Sequence, residues 1–301
     1  IILTDKKKIY FFSCPKKINQ IKKNKQYKNL IFCTYKDFSK VIYKLKGKNF
    51  CIDNLTCSIS NESIISKFFR IKLKTDPCYM MKSIKNKIEI KHTRDAHFKD
   101  GLALTKFIFW IKNINQKKIT EIEAKNKLEK FRRLDKDYLF PSFDTIAGTG
   151  SNGAIIHYRV NKKSNKVIKK NDIFLCDSGG QYNYGTTDVT RTICFSEQKK
   201  SIKDAFTNVL KGHIAVAQTN LNKINTGKKI DASARKFLNR DGLDYAHGTG
   251  HGVGFFLNVH EGPQSISKYN SVKIKEGMIL SNEPGYYKKG YYGIRIENLV
   301  Y

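Results

Sequence analysis

Five side chains of metal-ligand type, Asp177, Asp188, His251, Glu283 and Glu297, fall in the later part of the chain, each in a short run rich in glycine, threonine or aromatic residues. Four carboxylates gathered in a partly buried pocket repel one another, and two divalent ions, bringing a charge of +4 between them, offset that repulsion. Hard oxygen donors with one imidazole suit a pair of Mn²⁺-like ions. The expected chemistry is hydrolysis by a water that both ions share, its pKa lowered until it supplies hydroxide near neutral pH.

The local sequence around each candidate says how it is presented. Asp177 follows the apolar run Ile173-Phe174-Leu175-Cys176 and precedes Ser178-Gly179-Gly180, so a strand ends in an acid with little bulk beside it. Asp188 opens Asp188-Val189-Thr190-Arg191-Thr192-Ile193. Alternation there puts Asp188, Thr190 and Thr192 on one face, with Thr190 placed to brace a carboxylate. In His247-Gly248-Thr249-Gly250-His251-Gly252-Val253-Gly254 the glycines argue against a helix, so one ring can bind metal while the other faces substrate. Glu283 precedes a Pro284-Gly285 turn, and Glu297 shares a strand face with Arg295 in Gly293-Ile294-Arg295-Ile296-Glu297-Asn298.

These residues need a rigid platform. Strands are expected at 154–158, 173–176, 189–195, 278–281 and 293–296. Helical spacing of Leu102, Leu104, Phe107, Ile108 and Ile111, with Trp110 adding bulk, predicts a helix over 98–113 with these residues inward. Thr120 and Glu123 form a capping box opening a helix to about Arg133. A further helix follows Ser201, capped by its hydroxyl and Asp204, with Ala205, Phe206, Val209 and Ala217 inward; another spans 231–240 and stops before Gly242. Residues 1–80 show strands at Ile9–Phe12, 30–34 and Asn49–Ile52 between lysine-rich stretches, and Pro77 marks the boundary. The expectation is an α+β chain with a partial α/β domain at 1–80 and a catalytic domain at 81–301.

Composition sets the bounds. The chain of 301 residues lacks an initial Met and stops four residues past Glu297, so it reads as a fragment truncated at both ends. No apolar run approaches the ~18 residues of a membrane span, and no signal-peptide core precedes it. Seven cysteines, an odd number without a C-x-x-C pair, favour free thiols in a reducing cytoplasm, with Cys176 and Cys194 as small buried hydrophobes. The net charge of +31 comes mostly from lysines spread along the chain without interleaved aromatics, so nucleic acid is not the expected partner.

At these motifs, together with Gly153-Ala154-Ile155-Ile156-His157-Tyr158 and Asn258-Val259-His260-Glu261-Gly262-Pro263, the sequence closely resembles the pita-bread metallopeptidases, and within them the long aminopeptidase P branch that cleaves Xaa-Pro bonds. The likeness covers residues 85–301. It implies two ions, most simply Mn²⁺, held by Asp177, Asp188, His251, Glu283 and Glu297, with Asp188 and Glu297 bridging. It implies that Glu283 also accepts the water's proton, that His157, His247 and His260 bind substrate and support proton transfer, and that Arg295 braces the ligands. A homodimer of the full-length protein is implied as well. Prolidase and methionine aminopeptidase share the scaffold and remain alternatives, as does a metal-free relative binding nucleic acid.

Overall fold

The computed structural model describes residues 1–27, 29–113 and 118–301. The chain divides into two compact units, Ile1–Pro77 and Cys78–Tyr301. In the first, Ile9–Phe12 pairs parallel with Leu30–Cys33, and Asn49–Ile52 pairs parallel with Arg70–Leu73. Parallel neighbours need a crossover, and the helices Pro15–Lys22 and Ile59–Ile65 provide the two. Ile2, Ile42, Ile52, Ile65 and Phe69 form the core between them.

The second unit is built on an antiparallel three-stranded sheet with Ile173–Ser178 in the centre, flanked by Ile146–Thr149 and Val189–Cys194. The central strand is buried throughout, which is why it reads as a continuous apolar run. Its period of two decides where the chemistry points. Phe174 and Cys176 pack under the helices Lys87–Asn113 and Glu121–Arg132, against Leu104, Phe107, Ala124 and Leu128. Leu175 lies on the other face with Ile146 and Tyr158, and Asp177 shares that parity. Val189 and Ile193 join the helix side, leaving Thr190 opposite Asp177 in register.

Two further helices, Lys200–Ala217 and Gly227–Asn239, cover Ile173 and Ile294 through Ala205, Val209 and Leu238. They approach so closely at Gly212 that a Cβ there would lie 2.6 Å from the Ala234 carbonyl oxygen. Short antiparallel pairs, Leu280–Asn282 with Asn298–Val300 and Gly285–Lys288 with Tyr292–Arg295, flank Glu283 and Glu297, which lie in the connections between them. Among the described residues no helix is long and apolar enough to cross a membrane.

Several elements differ from their sequence-based expectation. Residues 154–158 are not a strand: the 3-10 helix Gly150–Ala154 is followed by a turn in which Tyr158 N–H donates to the Ile155 carbonyl. The cause is Glu121, fully buried, whose carboxylate accepts from Thr149 N–H, the Asn152 amide, Tyr158 O–H and Lys166 N–H. Lys87–Asn113 starts well before residue 98, because Asn86 and Glu89 cap each other's backbone amides. Leu102 faces outward, 53% exposed, because two residues along a helix turn it to the side opposite the buried Leu104. The Lys200–Ala217 helix has no side-chain cap from Ser201 or Asp204; Asp204 pairs with Lys200 instead, and Val216, not Ala217, is buried.

The capping box at Thr120 is present, with Glu123 N–H donating to Thr120 Oγ1 and Thr120 N–H to Glu123 Oε2. Thr120→Ala is expected to cost about 1 kcal/mol, read as a lower denaturant midpoint at unchanged slope.

Candidate metal centre

The structure brings all five candidate ligands to one cavity of about 670 Å³, with Arg295, His157, His247 and His260 also in its wall. Ligand atoms of Asp188, His251 and Glu297 lie within 4.8 Å of one another. His251 Nε2 stands 3.4 Å from Asp188 Oδ2 and 3.3 Å from Glu283 Oε1.

Three of the four acids are held by a named donor. Arg295, only 2% exposed, donates from Nη2 to Asp177 Oδ2 at 2.6 Å, from Nε to Thr190 Oγ1 and from Nη1 to the Tyr287 hydroxyl. Thr190 passes its own proton to Glu297 Oε2 at 2.6 Å. Ser281 donates to Glu283 Oε1 and accepts from His251 N–H, fixing the relative position of two candidate ligands. The Gly250–His251 backbone can lie against this strand only because residue 250 lacks a side chain: a Cβ there would meet the Ser281 carbonyl oxygen at 1.9 Å.

The two histidines of the glycine-rich loop are separated by their partners. His247 is used at both nitrogens, Nδ1–H donating to the Gly248 carbonyl while Nε2 accepts from Tyr287 O–H. Burial, reinforced by the nearby Arg295 cation, pushes its pKa down to about 3, so it is a neutral ring. His251 Nδ1 lies 3.0 Å from the Gly252 carbonyl oxygen, which turns Nε2 towards two carboxylate oxygens. The His260 ring packs edge-on against His251 at 4.0 Å, and burial with the neighbouring rings pushes its pKa down to about 4.

The donor set fits a pair of hard divalent cations. Burial, then repulsion from neighbouring acids, pushes the Asp188 and Glu297 carboxyls well above their ordinary range, and burial raises Glu283 also. Asp177 Oδ1 is buried with no protein partner. An orphaned carboxylate oxygen and acids that resist ionisation share one remedy, positive charge placed among them.

A model of metallopeptidase family M24 matches residues 91–301 of the sequence. The chain belongs to this family. Among M24 relatives, a probable Xaa-Pro aminopeptidase P of Sordaria macrospora is 51% identical over 225 residues, covering 73% of this chain and 37% of that protein. The chain thus spans little more than a third of the length of such relatives. The structure is similar to that of an X-prolyl aminopeptidase from Caenorhabditis elegans, described as a cytosolic enzyme with a di-nuclear active site, at TM-score 0.83 and 32% identity over 96% of this chain and 49% of that one. It is also similar to the prolidase from Pyrococcus furiosus, at TM-score 0.79 and 27% identity over 97% of this chain and 83% of that one. The fold is the α+β pita-bread fold of M24 peptidases.

Three supports of the site escaped the sequence reading. Ser281 was legible in principle, since it lies two residues before Glu283 on one strand face. Tyr287 was visible only as part of a turn motif, not as the hydroxyl joining His247 to Arg295. Lys85, 4% exposed, donates to Glu261 Oε1 at 2.9 Å and so ties down the loop bearing His260; one lysine among so many carried no signal.

Proposed function

We propose that the chain is the catalytic part of a metal-dependent aminopeptidase that releases the N-terminal residue from peptides with proline in second position. The observation that carries this reading is the convergence of Asp188, His251 and Glu297 within 4.8 Å in a cavity that also holds Asp177 and Glu283. Residues 81–301 are assigned as the catalytic domain and 1–80 as a non-catalytic α/β part. Asp177, Asp188, His251, Glu283 and Glu297 would hold two divalent ions, with Asp188 and Glu297 shared, and Mn²⁺ suits a carboxylate-rich set with one imidazole. Bound there, the ions would supply Lewis acidity and a water made nucleophilic near neutral pH.

The chain's own residues do the rest. Glu283, steadied by Ser281, takes the proton of the attacking water and passes it to the departing proline nitrogen. His260, kept uncharged by burial, and His157, on the exposed side of the cavity, donate hydrogen bonds to the oxyanion that develops on the first carbonyl. Arg295 holds Asp177 and, through Thr190, Glu297, so the acids keep their places when protons move. The free amine of the substrate enters the acid-rich end, which confines cleavage to the first residue. Similarity to Xaa-Pro aminopeptidases supports the Xaa-Pro preference, similarity to the cytosolic Caenorhabditis elegans enzyme supports a cytoplasmic location, and a homodimer is proposed for the whole protein.

Metal analysis and peptide assay test this together. About two Mn²⁺ per chain and release of Xaa from Xaa-Pro-containing tripeptides, both lost on chelation, are expected. Cleavage confined to dipeptides would replace this reading with prolidase, and release of initiator Met alone with methionine aminopeptidase.

A further inference from the structure

We infer that Arg159 is a specificity-determining residue that binds a carboxylate on the leaving side of the peptide; this rests on the aminopeptidase reading above. Tyr158 is 5% exposed, its hydroxyl anchored on Glu121 and Ser164, so it points into the core. His157 and Arg159, on either side of it, are exposed and line the cavity. The tether on Tyr158 fixes the backbone from which Arg159 reaches.

The balance of charge around the cavity gives Arg159 its task. Arg295 is compensated by Asp177, and Asp144 at the rim is compensated by Lys125. The three acids left, Asp188, Glu283 and Glu297, face the two divalent ions proposed above. Arg159 has no hydrogen bond, ion pair or ring contact among the described residues, and it is the one uncompensated permanent cation in the wall. Since the substrate's amine must sit at the acidic end, the group that reaches Arg159 belongs to the other end of a short peptide. A guanidinium fork matches a carboxylate, supplied either by the peptide's C-terminus or by an acidic side chain beyond the proline.

The test compares kcat/KM of the Mn²⁺-loaded protein on Ala-Pro-Ala free acid, Ala-Pro-Ala amide and Ala-Pro-Asp amide. At least one carboxylate-bearing peptide is expected to exceed the neutral amide about tenfold, mainly through KM, with the advantage shrinking as salt is raised. The free acid alone would identify the C-terminal carboxylate as the source, and the Asp peptide alone the side chain. Arg159→Gln is expected to bring the ratio to about one, and Arg159→Glu to invert it. A ratio of one in the parent protein, or one that survives in Arg159→Gln as a general attraction by the +31 chain would, overturns the assignment. Failure of the parent protein to cleave any of the three peptides counts instead against the aminopeptidase reading.

Discussion

Asp188→Ala and His251→Ala are each expected to abolish peptide hydrolysis while the far-ultraviolet signature of the helices stays intact. The loss should exceed the roughly 10–100-fold that removing a supporting group such as the Thr190 hydroxyl costs in metal affinity or activity. Asp188→Asn should in addition change stability with opposite signs in the two metal states. Burial and the charges of Asp177 and Glu283 raise the Asp188 carboxyl above its ordinary value of 3.8. A carboxyl raised in the folded state stabilises below its unfolded pKa, and that contribution is lost as pH rises through the folded value. At pH 7, above its unfolded value, the raised carboxyl therefore costs the metal-free protein stability, and removing that acid relieves the cost. Metal-free Asp188→Asn is expected to melt higher than the metal-free parent, by roughly 2–4 °C for each kcal/mol relieved in a unit of this size. With saturating Mn²⁺ the order reverses, because the parent alone gains about 2.7 kcal/mol at a hundred times its dissociation constant. Full activity in either alanine variant, or the same order of melting temperatures with and without metal, would contradict a shared metal centre.

How far the site was legible follows from which signals are local. Asp177, Asp188, Glu283 and Glu297 each sit in a short motif whose residue types demand a turn, a bare strand end or a polar strand face, and those demands act within a few residues. Their meeting in one cavity depends on register, and register was partly readable too: the alternation at Val189–Cys194 placed Thr190 beside an acid, and its hydroxyl reaches Glu297, 107 residues away. The reading failed where a distant buried group sets the local structure. Residues 154–158 alternate like a strand, yet Glu121 holds the Tyr158 hydroxyl and the flanking Thr149 and Lys166 amides, and the segment turns, from about thirty or more positions away. Leu102 lies about 200° around the helix from Leu104 and so points outward, while the inward face is set by Ala96, Ala103 and Phe107. Propensity and period describe a segment alone; the burial of a single carboxylate outweighs both.

Arg132→Met is expected to be the most destabilising single substitution outside the metal centre. Arg132 and Asp100 are each 1% exposed and bonded twice, Nε to Oδ1 at 2.6 Å and Nη2 to Oδ2 at 3.0 Å. Tyr182 O–H donates to the same carboxylate, and Arg132 Nη2 also reaches Ser178 Oγ, next to Asp177. Removing the cation leaves a buried carboxylate with one donor, a loss of about 3–5 kcal/mol for a broken buried pair. Asp100→Leu combined with Arg132→Met removes both charges and should recover most of that loss, giving a large coupling in a double-mutant cycle. The pH dependence supplies an independent sign. Burial would raise Asp100, but the Arg132 charge and bonds prevail and hold it below its ordinary 3.8. Its contribution in the parent is present above the unfolded value and fades as pH falls below about 4. In Arg132→Met burial acts unopposed by the cation and the carboxyl moves up, so its penalty grows as pH rises from its unfolded value towards neutrality and disappears on acidification. The gap in unfolding free energy between parent and variant should therefore be widest near pH 7 and narrow towards pH 4. A gap that stays constant over that range would mean that lost packing of the arginine stem, and not the stranded charge, is what the substitution costs.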